Sequence, residues 1–359
     1  MITEIKINNF KLLGMNNSIK LNKINVFYGQ NATGKSSIME ALTLFIELID
    51  GNSKNVIENG MIKTSRTQYY KWKDTKIANL ISKNKASNFS ILIGNDAVKY
   101  EAVFQLTSNQ NLLIDHLIEV NNNQYNYPST YNYSILSNDI LDNIKSNNHN
   151  DADILRKFKQ ELQRTKVIIN SSTTLPDYIG TDNINENYIL KWLAKKSIPP
   201  DSVSELIDLI KKFKNFENIT SIWAGWFEGT EISSHTIYNN TLTINLGHES
   251  FGLRRLLEIL IGIVELSPEG GMILIEEPEN GLSYNNLLIL SKIIDETVSK
   301  SSIQFIITTH NLFLLSDFKQ SSLNLYRCEK TSANEMQICR GSTEFEKLKQ
   351  AINLYAQLY

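Results

Sequence analysis

The chain has 359 residues, of which 42% are hydrophobic and 21% charged, and its formal net charge is −2. This is the composition of an ordinary globular protein, and no run approaches the ~20 apolar residues that a membrane-spanning helix needs. The two cysteines, Cys328 and Cys339, show no CxxC spacing, so we expect reduced thiols in a cytoplasmic protein rather than a disulfide or a metal site. The length allows two or three domains, or one α/β domain with a large insertion.

The first fifty residues predict two strands and a helix. Residues 1–7 alternate like a strand and lack the apolar core of a signal peptide. The apolar run Ile24–Tyr28 is typical of a buried strand, and residues 37–49 then place apolar side chains at helical spacing. A strand, a loop and a helix therefore follow one another without interruption.

The loop between that strand and that helix, residues 29–36, matches the pattern GxxxxGK[ST] in full. Its glycines allow backbone N–H groups to turn toward phosphate oxygens, and the start of the helix adds partial positive charge. In this pattern the lysine reaches the β- and γ-phosphates of a nucleotide, and the serine ligates Mg²⁺. The predicted phosphate-binding residues are Gly29, Asn31, Ala32, Thr33, Gly34, Lys35, Ser36 and Ser37.

Residues 61–88 carry seven basic side chains against one acid, with interleaved Tyr69, Tyr70 and Trp72. Basic and aromatic side chains together neutralise phosphates and stack on bases, so this segment is the best candidate for contact with DNA. A solvated basic loop is the alternative interpretation. The basic residues are Lys63, Arg66, Lys71, Lys73, Lys76, Lys83 and Lys85.

Residues 128–244 predict a compact, mainly helical insertion. Apolar side chains recur at helical spacing in 154–162 and 203–213, and Ser202-x-x-Glu205 resembles a capping box. The heptads of a long coiled coil are not sustained. The aromatic cluster in residues 223–227 is interpreted either as core packing or as a partner surface.

Residues 246–264 predict an amphipathic helix that Ser250 caps at its start. Gly252 lies in the first turn, where the missing side chain would let a phosphate approach the backbone closely. Taken alone, this segment is typical of an ordinary capped helix. Its position between two nucleotide-site motifs suggests a function for it.

Two further apolar strands end in polar side chains. The strand in residues 272–275 is followed by Glu276, which can hold Mg²⁺ through water, and by Glu277, which can orient an attacking water. The strand in residues 303–309 ends at His310, where a side chain that senses the γ-phosphate would stand. Paired with the phosphate-binding loop, these acids predict a nucleotide-hydrolysing site.

These four blocks, in this order, resemble the ATP-binding-cassette (ABC) ATPase superfamily, and most of all its RecF, SMC and overcoming-lysogenisation-defect (OLD) branch. Residues 5–11 and 21–31 are similar to the start of such proteins, and residues 249–252 to their signature loop. Residues 276–279 resemble the Walker B motif of OLD-like ATPases, and residues 307–311 the switch-histidine strand. The sequence departs from the family pattern in having Glu276 for the commoner Asp and Glu249 for the signature Leu.

The resemblance implies an α/β fold, namely a P-loop ABC-type ATPase head with an antiparallel β-subdomain and a helical insertion. The likeness is good over residues 1–50 and 245–328 and looser over 88–125, as a β-meander. The expected division is residues 1–127 for the N-terminal half of the ATPase core, 128–244 for the insertion and 245–359 for the C-terminal half.

The resemblance also implies a mechanism in which two copies of the chain sandwich two ATP molecules with Mg²⁺. Glu277 would be the general base and His310 the γ-phosphate sensor. Ser250 and Gly252 of one protomer would contact the ATP that the other holds.

Two residues complete the metal site that the resemblance implies. Glu276 would support Mg²⁺ together with Ser36. Gln105 is the candidate for the family's glutamine-loop residue at the metal, with an ordinary surface glutamine as the alternative. The cofactors expected from the resemblance are therefore ATP and Mg²⁺.

Three functions remain open from the sequence. The first is an ATP-hydrolysing homodimer that regulates a separate effector protein, for example in antiviral defence, because we expect no counterpart of the OLD Toprim nuclease domain after His310. The second is a RecF-like DNA-binding repair ATPase. The third is a slowly hydrolysing, ATP-loaded scaffold for a toxin or nuclease subunit. An apolar periodicity in residues 345–359 also predicts a helix that docks on the core or on a partner.

Overall fold

The fold is seen in a computed structural model. It describes residues 1–14, 17–31, 33–49, 57–58, 61–62, 75–76, 88–106, 112–128, 136–168, 188–195, 198–227, 231–331, 336–340 and 347. Most of the basic segment in residues 61–88 and the tail predicted as a helix lie outside these residues. Within the described part of the chain, every helix is too short or too polar to span a membrane.

The core of the molecule is a six-stranded sheet in which the first five strands of the spatial order are parallel and the sixth is antiparallel. With elements numbered along the chain, the spatial order is β11 (Thr165–Ile168), β15 (Gly271–Glu276), β16 (Ile303–Thr309), β3 (Ile24–Tyr28), β17 (Leu323–Lys330) and β18 (Met336–Arg340).

A second six-stranded sheet is antiparallel and contains the β-meander that the resemblance predicted. Its spatial order is β10 (Asn123–Tyr127), β9 (Leu112–Val120), β8 (Val98–Leu106), β7 (Asn88–Gly94), β1 (Glu4–Asn8) and β2 (Asn17–Lys20). Two three-stranded sheets comprise β4 (Ile57–Glu58), β5 (Met61–Ile62) and β6 (Thr75–Lys76), and β12 (Ile219–Phe227), β13 (Glu231–Tyr238) and β14 (Leu242–Asn245).

Seven α-helices are seen in the described residues. They are α1 (Lys35–Leu48), α2 (Asn138–Asn147), α3 (His149–Gln163), α4 (Tyr188–Leu193), α5 (Pro200–Ile210), α6 (Phe251–Leu266) and α7 (Tyr284–Lys300). Helix α5 begins at Pro200 after Pro199, so the capping box predicted at Ser202 is wrong. Proline already has the backbone angle that the first helical position requires, and it therefore starts the helix three residues earlier.

The parallel sheet is covered on both faces, which explains why its central strands are continuous apolar runs rather than alternating ones. Phe27, Leu274 and Ile306 belong to one hydrophobic cluster with α1 and the antiparallel sheet. The immediate neighbours of these three residues along each strand belong to a second hydrophobic cluster, together with α4 to α7. Because side chains alternate along a strand, each central strand contributes to both layers.

The range predicted as a mainly helical insertion, residues 128–244, contains strands as well as helices. The described residues in this range contain α2 to α5 but also β11 to β14. Strand β11 pairs in parallel with β15 and so belongs to the core sheet. The aromatic residues 223–227 lie on β12, a strand and not a helix. Helical stripes dominate the sequence pattern here, whereas a four-residue strand has too few residues to show a period.

The two cysteines lie on neighbouring antiparallel strands, β17 and β18. Strands β17 and β18 pair with Arg327 opposite Cys339 and Cys328 opposite Ile338. Both cysteines are free thiols. Burial raises the pKa of Cys328 to about 12, so this thiol stays protonated and unreactive at neutral pH.

A buried histidine in the antiparallel sheet makes the stability of the fold sensitive to acid. The Tyr100 hydroxyl lies 2.7 Å from Nδ1 of His116 and accepts a hydrogen bond from the N–H of Leu136. Burial lowers the pKa of His116 from 6.5 to about 4, against the opposing charge of Asp115. The folded state therefore holds this ring neutral at a pH where the unfolded chain protonates it.

We expect the free energy of unfolding to fall as the pH drops from 6.5 to about 4, the interval between the two pKa values of His116. Below pH 6.5 the unfolded chain binds a proton at His116 and the native state does not. His116 alone therefore lowers the free energy of unfolding by about 2 kcal/mol between pH 7 and pH 5. The measurement is urea unfolding at both pH values for the wild type and His116→Gln. The difference between the two pH values should shrink in the variant and not in His149→Gln, which replaces an exposed histidine. An equal difference in wild type and His116→Gln would contradict the assignment.

Candidate functional site

The phosphate-binding loop lies between β3 and α1, as the sequence predicted. Gly34 has φ +94°, a left-handed conformation, and a Cβ there would lie 2.8 Å from Sδ of Met336 on β18. A side chain at this position would be strained and would also collide with the neighbouring strand. The loop therefore has a backbone surface at the start of α1 that only glycine permits. Of the predicted phosphate-binding residues, Ala32 lies outside the described residues.

Lys35 is buried in the loop at 5% exposure. Its ammonium group donates to the backbone carbonyl of Gly29 at 2.8 Å and to that of Gln30 at 2.9 Å. These two bonds hold the positive charge across the loop. Thr33 closes the same turn, because its hydroxyl donates to the Gln30 carbonyl at 2.8 Å.

The N-terminus of α1 suits an anion. No described side chain caps it, and no acid lies in its first turn. The first N–H groups of a helix have no partner within the helix, and they carry partial positive charge. The helix start and Lys35 therefore form one electropositive face of the loop.

Ser36 and Glu276, two of the three residues predicted at the Mg²⁺ site, come together in the structure. Ser36 is the second residue of α1, the helix that follows β3. Glu276 is the last residue of β15, which lies two strands from β3 in the core sheet. The Ser36 hydroxyl lies near the Glu276 carboxylate, close enough to lower its pKa. Strands of a parallel sheet end at one edge, and this brings residues 240 positions apart in the chain into contact.

The electrostatics around Glu276 fit a divalent cation. Burial is the largest cause that raises the pKa of Glu276. The nearby Ser36 hydroxyl lowers this pKa, and the negative charges of Glu277 and Glu40 raise it further. A cation between these groups would offset the repulsion. No three His, Cys, Asp or Glu side chains among the described residues converge as a metal group of their own. Mg²⁺ is commonly held by one or two protein ligands together with substrate phosphates, and Ser36 and Glu276 are two such ligands.

Glu277 has a strained backbone. Its φ is +46°, although an ordinary side chain and a following proline both disfavour this region. Its N–H donates to the Thr308 carbonyl of β16 at 2.8 Å, and its Oε2 accepts from Nδ2 of Asn280 at 2.9 Å. Strain of this kind is often found at functional sites.

His310 follows β16 and lies beside the acids of the β15 loop. Its Nδ1 is 3.8 Å from Oε1 of Glu277 and 3.1 Å from Oε1 of Glu279. The ring is 44% exposed, whereas the Glu279 side chain is 5% exposed. The structure therefore joins His310 to Glu277, as the family resemblance implied, and adds Glu279.

Ser250 caps α6, as predicted, because its Oγ accepts from the N–H of Leu253 at 3.2 Å. Ser250 and Phe251 are exposed, so the start of α6 lies on the surface. A Cβ at Gly252 would collide with the carbonyl oxygen of Gly281, and the phosphate contact of the Gly252 backbone stays a prediction. The space left by the missing side chain is taken by the backbone of the same chain, in the loop between β15 and α7.

Glu249, which stands where the family has a leucine, fastens this segment to β13. Its Oε1 accepts from the hydroxyls of Tyr238, at 2.9 Å, and Thr236. Burial, together with the Glu249 carboxylate, raises the pKa of the Tyr238 hydroxyl. The start of α6 is thus held by the three-stranded sheet through polar contacts instead of the apolar contact of a leucine.

Sequence reasoning missed Arg255 and gave Glu279 no role. Arg255 is 2% exposed, and its guanidinium donates to the backbone carbonyls of Glu276 and, at 3.4 Å, Ile168. It also lies 3.4 Å from Glu258, one turn along α6. Arg255 thereby ties α6 to the ends of β15 and β11. The helical period places Arg255 opposite the predicted apolar stripe of this helix, so the sequence pattern gave no signal for its burial.

Gln105 lies on β8, and its side-chain amide donates to Oδ2 of Asp115 on β9 at 2.9 Å. This contact is within the antiparallel sheet and not with the phosphate-binding loop. Its assignment as a metal-site residue stays a prediction.

Comparison with solved structures shows the same fold in the head domains of SMC proteins. An SMC head bound to the C-winged helix domain of ScpA is 11% identical with a TM-score of 0.53, and the match covers 94% of this chain and 97% of that one. The SMC head domain from Thermotoga maritima is 12% identical with a TM-score of 0.48, covering 94% and 98%. At such identities the likeness concerns the fold alone. Among curated proteins, none matches the sequence significantly.

A family model described as "AAA domain, putative AbiEii toxin, Type IV TA system" matches residues 24–316. The match runs from β3, before the phosphate-binding loop, to beyond His310. It therefore includes the four motifs whose geometry is described above. The chain belongs to this AAA-domain family, and its architecture is that of an ABC-type P-loop ATPase.

Proposed function

We propose that this chain hydrolyses ATP, dimerises head to head around it and regulates a separate effector protein. The observation that carries the proposal is the contact between Ser36 and Glu276, with Glu277 and His310 at the same edge of the sheet. When bound, ATP with Mg²⁺ supplies the γ-phosphate that a water molecule attacks. The affiliation with OLD-like ATPases stays a prediction from residues 276–279.

Each side chain has a distinct task in this proposal. Lys35 and the start of α1 neutralise phosphate charge, and Ser36 and Glu276 hold the metal. Glu277 takes the proton of the attacking water, because an ionised carboxylate within reach is a sufficient general base. His310 contacts the γ-phosphate side of the site.

The proposed dimer uses the start of α6. Ser250 and Phe251 are exposed there, and the N-terminus of a sixteen-residue helix attracts an anionic group. In the sandwich arrangement of ABC-type ATPases, this end meets the ATP bound to the other protomer. ATP then joins the two heads, and hydrolysis releases them.

We expect Ser250→Arg to prevent ATP-dependent dimerisation. Arginine would put bulk at the place where the second protomer's phosphates must approach, and it would also remove the cap of α6. The variant is made together with Glu277→Gln, which retains ATP. Mass in solution is then measured by light scattering with and without ATP.

The matched control is Ser204→Arg, which puts the same side chain on an exposed position of α5, beside Ser267 at the far end of α6. It should leave the ATP-induced increase in mass unchanged. An ATP-induced dimer in the Ser250→Arg double variant would contradict the sandwich. A dimer present without ATP in all variants would reveal a separate, constitutive interface.

The effector is the second part of the proposal. The family description names a putative toxin of a toxin–antitoxin system, which supports a chain that works with another protein, in antiviral defence for example. An SMC head bound to a domain of ScpA supports the same idea, because a head of this fold can carry a partner. Affinity capture with Glu277→Gln and with Lys35→Ala should retain different amounts of such a partner. Equal capture would contradict nucleotide-controlled regulation.

A RecF-like DNA-binding ATPase is the second candidate, favoured by the seven basic residues of the 61–88 segment. Stimulation of the ATPase rate by DNA would support it. A scaffold that holds ATP with negligible turnover, with or without DNA, is the remaining alternative.

A further inference from the structure

One buried carboxylate beside the site, that of Glu279, has no task in the proposed function. Its Oε1 accepts hydrogen bonds from Oγ1 of Thr309 and from the backbone N–H of His310, both at 2.8 Å. The same oxygen lies 3.1 Å from Nδ1 of the His310 ring. A single carboxylate oxygen on the β15 loop therefore holds the residue after β16 at both its backbone and its ring.

The second oxygen of Glu279 strengthens the case for a functional role. Oε2 is buried and has no hydrogen-bond partner among the described residues. Burying a carboxylate with an unsatisfied oxygen costs stability, and an apolar side chain of similar size would avoid that cost. Packing alone therefore does not explain why a carboxylate occupies this position.

The chemistry of imidazole supplies that explanation. The two ring nitrogens are distinct, and an acceptor at one of them decides where the proton lies and how the ring is turned. With Nδ1–H donating to Glu279, Nε2 is the nitrogen left for a ligand, and it donates to a phosphate oxygen when the ring carries a second proton there. The same contact keeps Nδ1 3.8 Å from Oε1 of Glu277.

We propose that Glu279 is the positioning residue of the γ-phosphate sensor: it orients His310 and directs the Nδ1 proton inward. This inference rests on the proposed function, because it assigns His310 a part in hydrolysis. Glu279 acts through His310 and touches neither nucleotide nor metal.

The kinetic test is a double-mutant cycle between Glu279→Ala and His310→Ala. Each single change is expected to lower kcat by roughly tenfold or more with a smaller effect on the KM for ATP, because a misplaced group near the reacting atoms slows the reaction. The double variant should be no slower than His310→Ala alone, since residues that act as a unit are not additive. Glu269→Ala, an exposed acid paired with Arg164, is the control and should keep the wild-type rate. Additive losses, or a wild-type kcat in Glu279→Ala, would overturn the proposal.

A spectroscopic test is independent of turnover. The chain has five histidines, so ¹H–¹⁵N correlation of the ring nitrogens at about pH 8.5, where imidazole is ordinarily neutral, gives a simple spectrum in which His310→Gln identifies the His310 signals. The wild-type ring should carry its proton on Nδ1, and Glu279→Ala should shift the proton toward Nε2. Glu279→Gln, which keeps an acceptor oxygen, should preserve the wild-type signal even if the alanine variant folds poorly. An identical tautomer in wild type and Glu279→Ala would overturn the proposal. An Nδ1 proton that depends on Glu279 in a wild type without ATPase activity would overturn the proposed function and leave this contact established.

Discussion

Lys35→Ala is expected to abolish measurable ATP binding. The Lys35 ammonium group is held across the phosphate-binding loop by the carbonyls of Gly29 and Gln30, so it is already placed where phosphate oxygens would bind. A hydrogen bond from a charged donor contributes about 1.5–3 kcal/mol. The loss of two such bonds to phosphate oxygens of ATP weakens binding by ~100-fold or more. Titration calorimetry measures the affinity directly.

Thermal unfolding gives a second measurement of the same effect. A ligand that binds only the native state raises its stability in proportion to RT ln(1 + [L]/Kd), so the ATP-induced rise in Tm should vanish in Lys35→Ala. Lys20→Ala, in which an exposed lysine paired with Glu4 is removed, is the control and should keep the rise. A wild-type Kd in Lys35→Ala would show that the loop is not the nucleotide site.

Glu277→Gln is expected to bind ATP and fail to hydrolyse it. An amide has nearly the shape of the carboxylate and still accepts the hydrogen bond from Asn280, but it cannot take a proton from water. Loss of a general base lowers kcat by ~100- to 10,000-fold. Phosphate release under single-turnover conditions separates this chemical step from product release.

The control for Glu277→Gln is Glu119→Gln, which makes the same change in an acid paired with Lys99 on the antiparallel sheet. Its phosphate release should match the wild type. Wild-type turnover in Glu277→Gln, with ATP bound, would exclude Glu277 as the base and direct attention to Glu279, the next acid along the chain.

Several parts of the site could be predicted from sequence because they are local. The order of β3, the phosphate-binding loop and α1 depends on some twenty-five consecutive residues, and backbone chemistry decides it. The acids after β15 and the histidine after β16 could be recognised because each directly follows an apolar strand. The cap of α6 by Ser250 is equally local.

The task of Glu279 could not be inferred in this way. Its partners, Thr309 and His310, are some thirty residues away along the chain, and nothing in the local pattern of residues 276–279 distinguishes it from a solvent-exposed acid. The same holds for Arg255, whose carbonyl partners are on two different strands. The contact of Gly252 with the backbone of Gly281, in another loop, could not be inferred from the local pattern either.

The sequence by itself determined the elements next to the nucleotide and the identity of the side chains that end them. Hydrophobic period, turn residues and the GxxxxGK[ST] loop all act within a few residues, and the sequence records them directly. Only the tertiary structure decided that β3 lies between β16 and β17, that β11 joins the core sheet, and that Ser36 meets Glu276. Parallel strands are joined by long crossovers, so their order depends on how two layers of apolar side chains pack on both faces of the sheet. That packing involves residues from the whole chain, and no local pattern contains it.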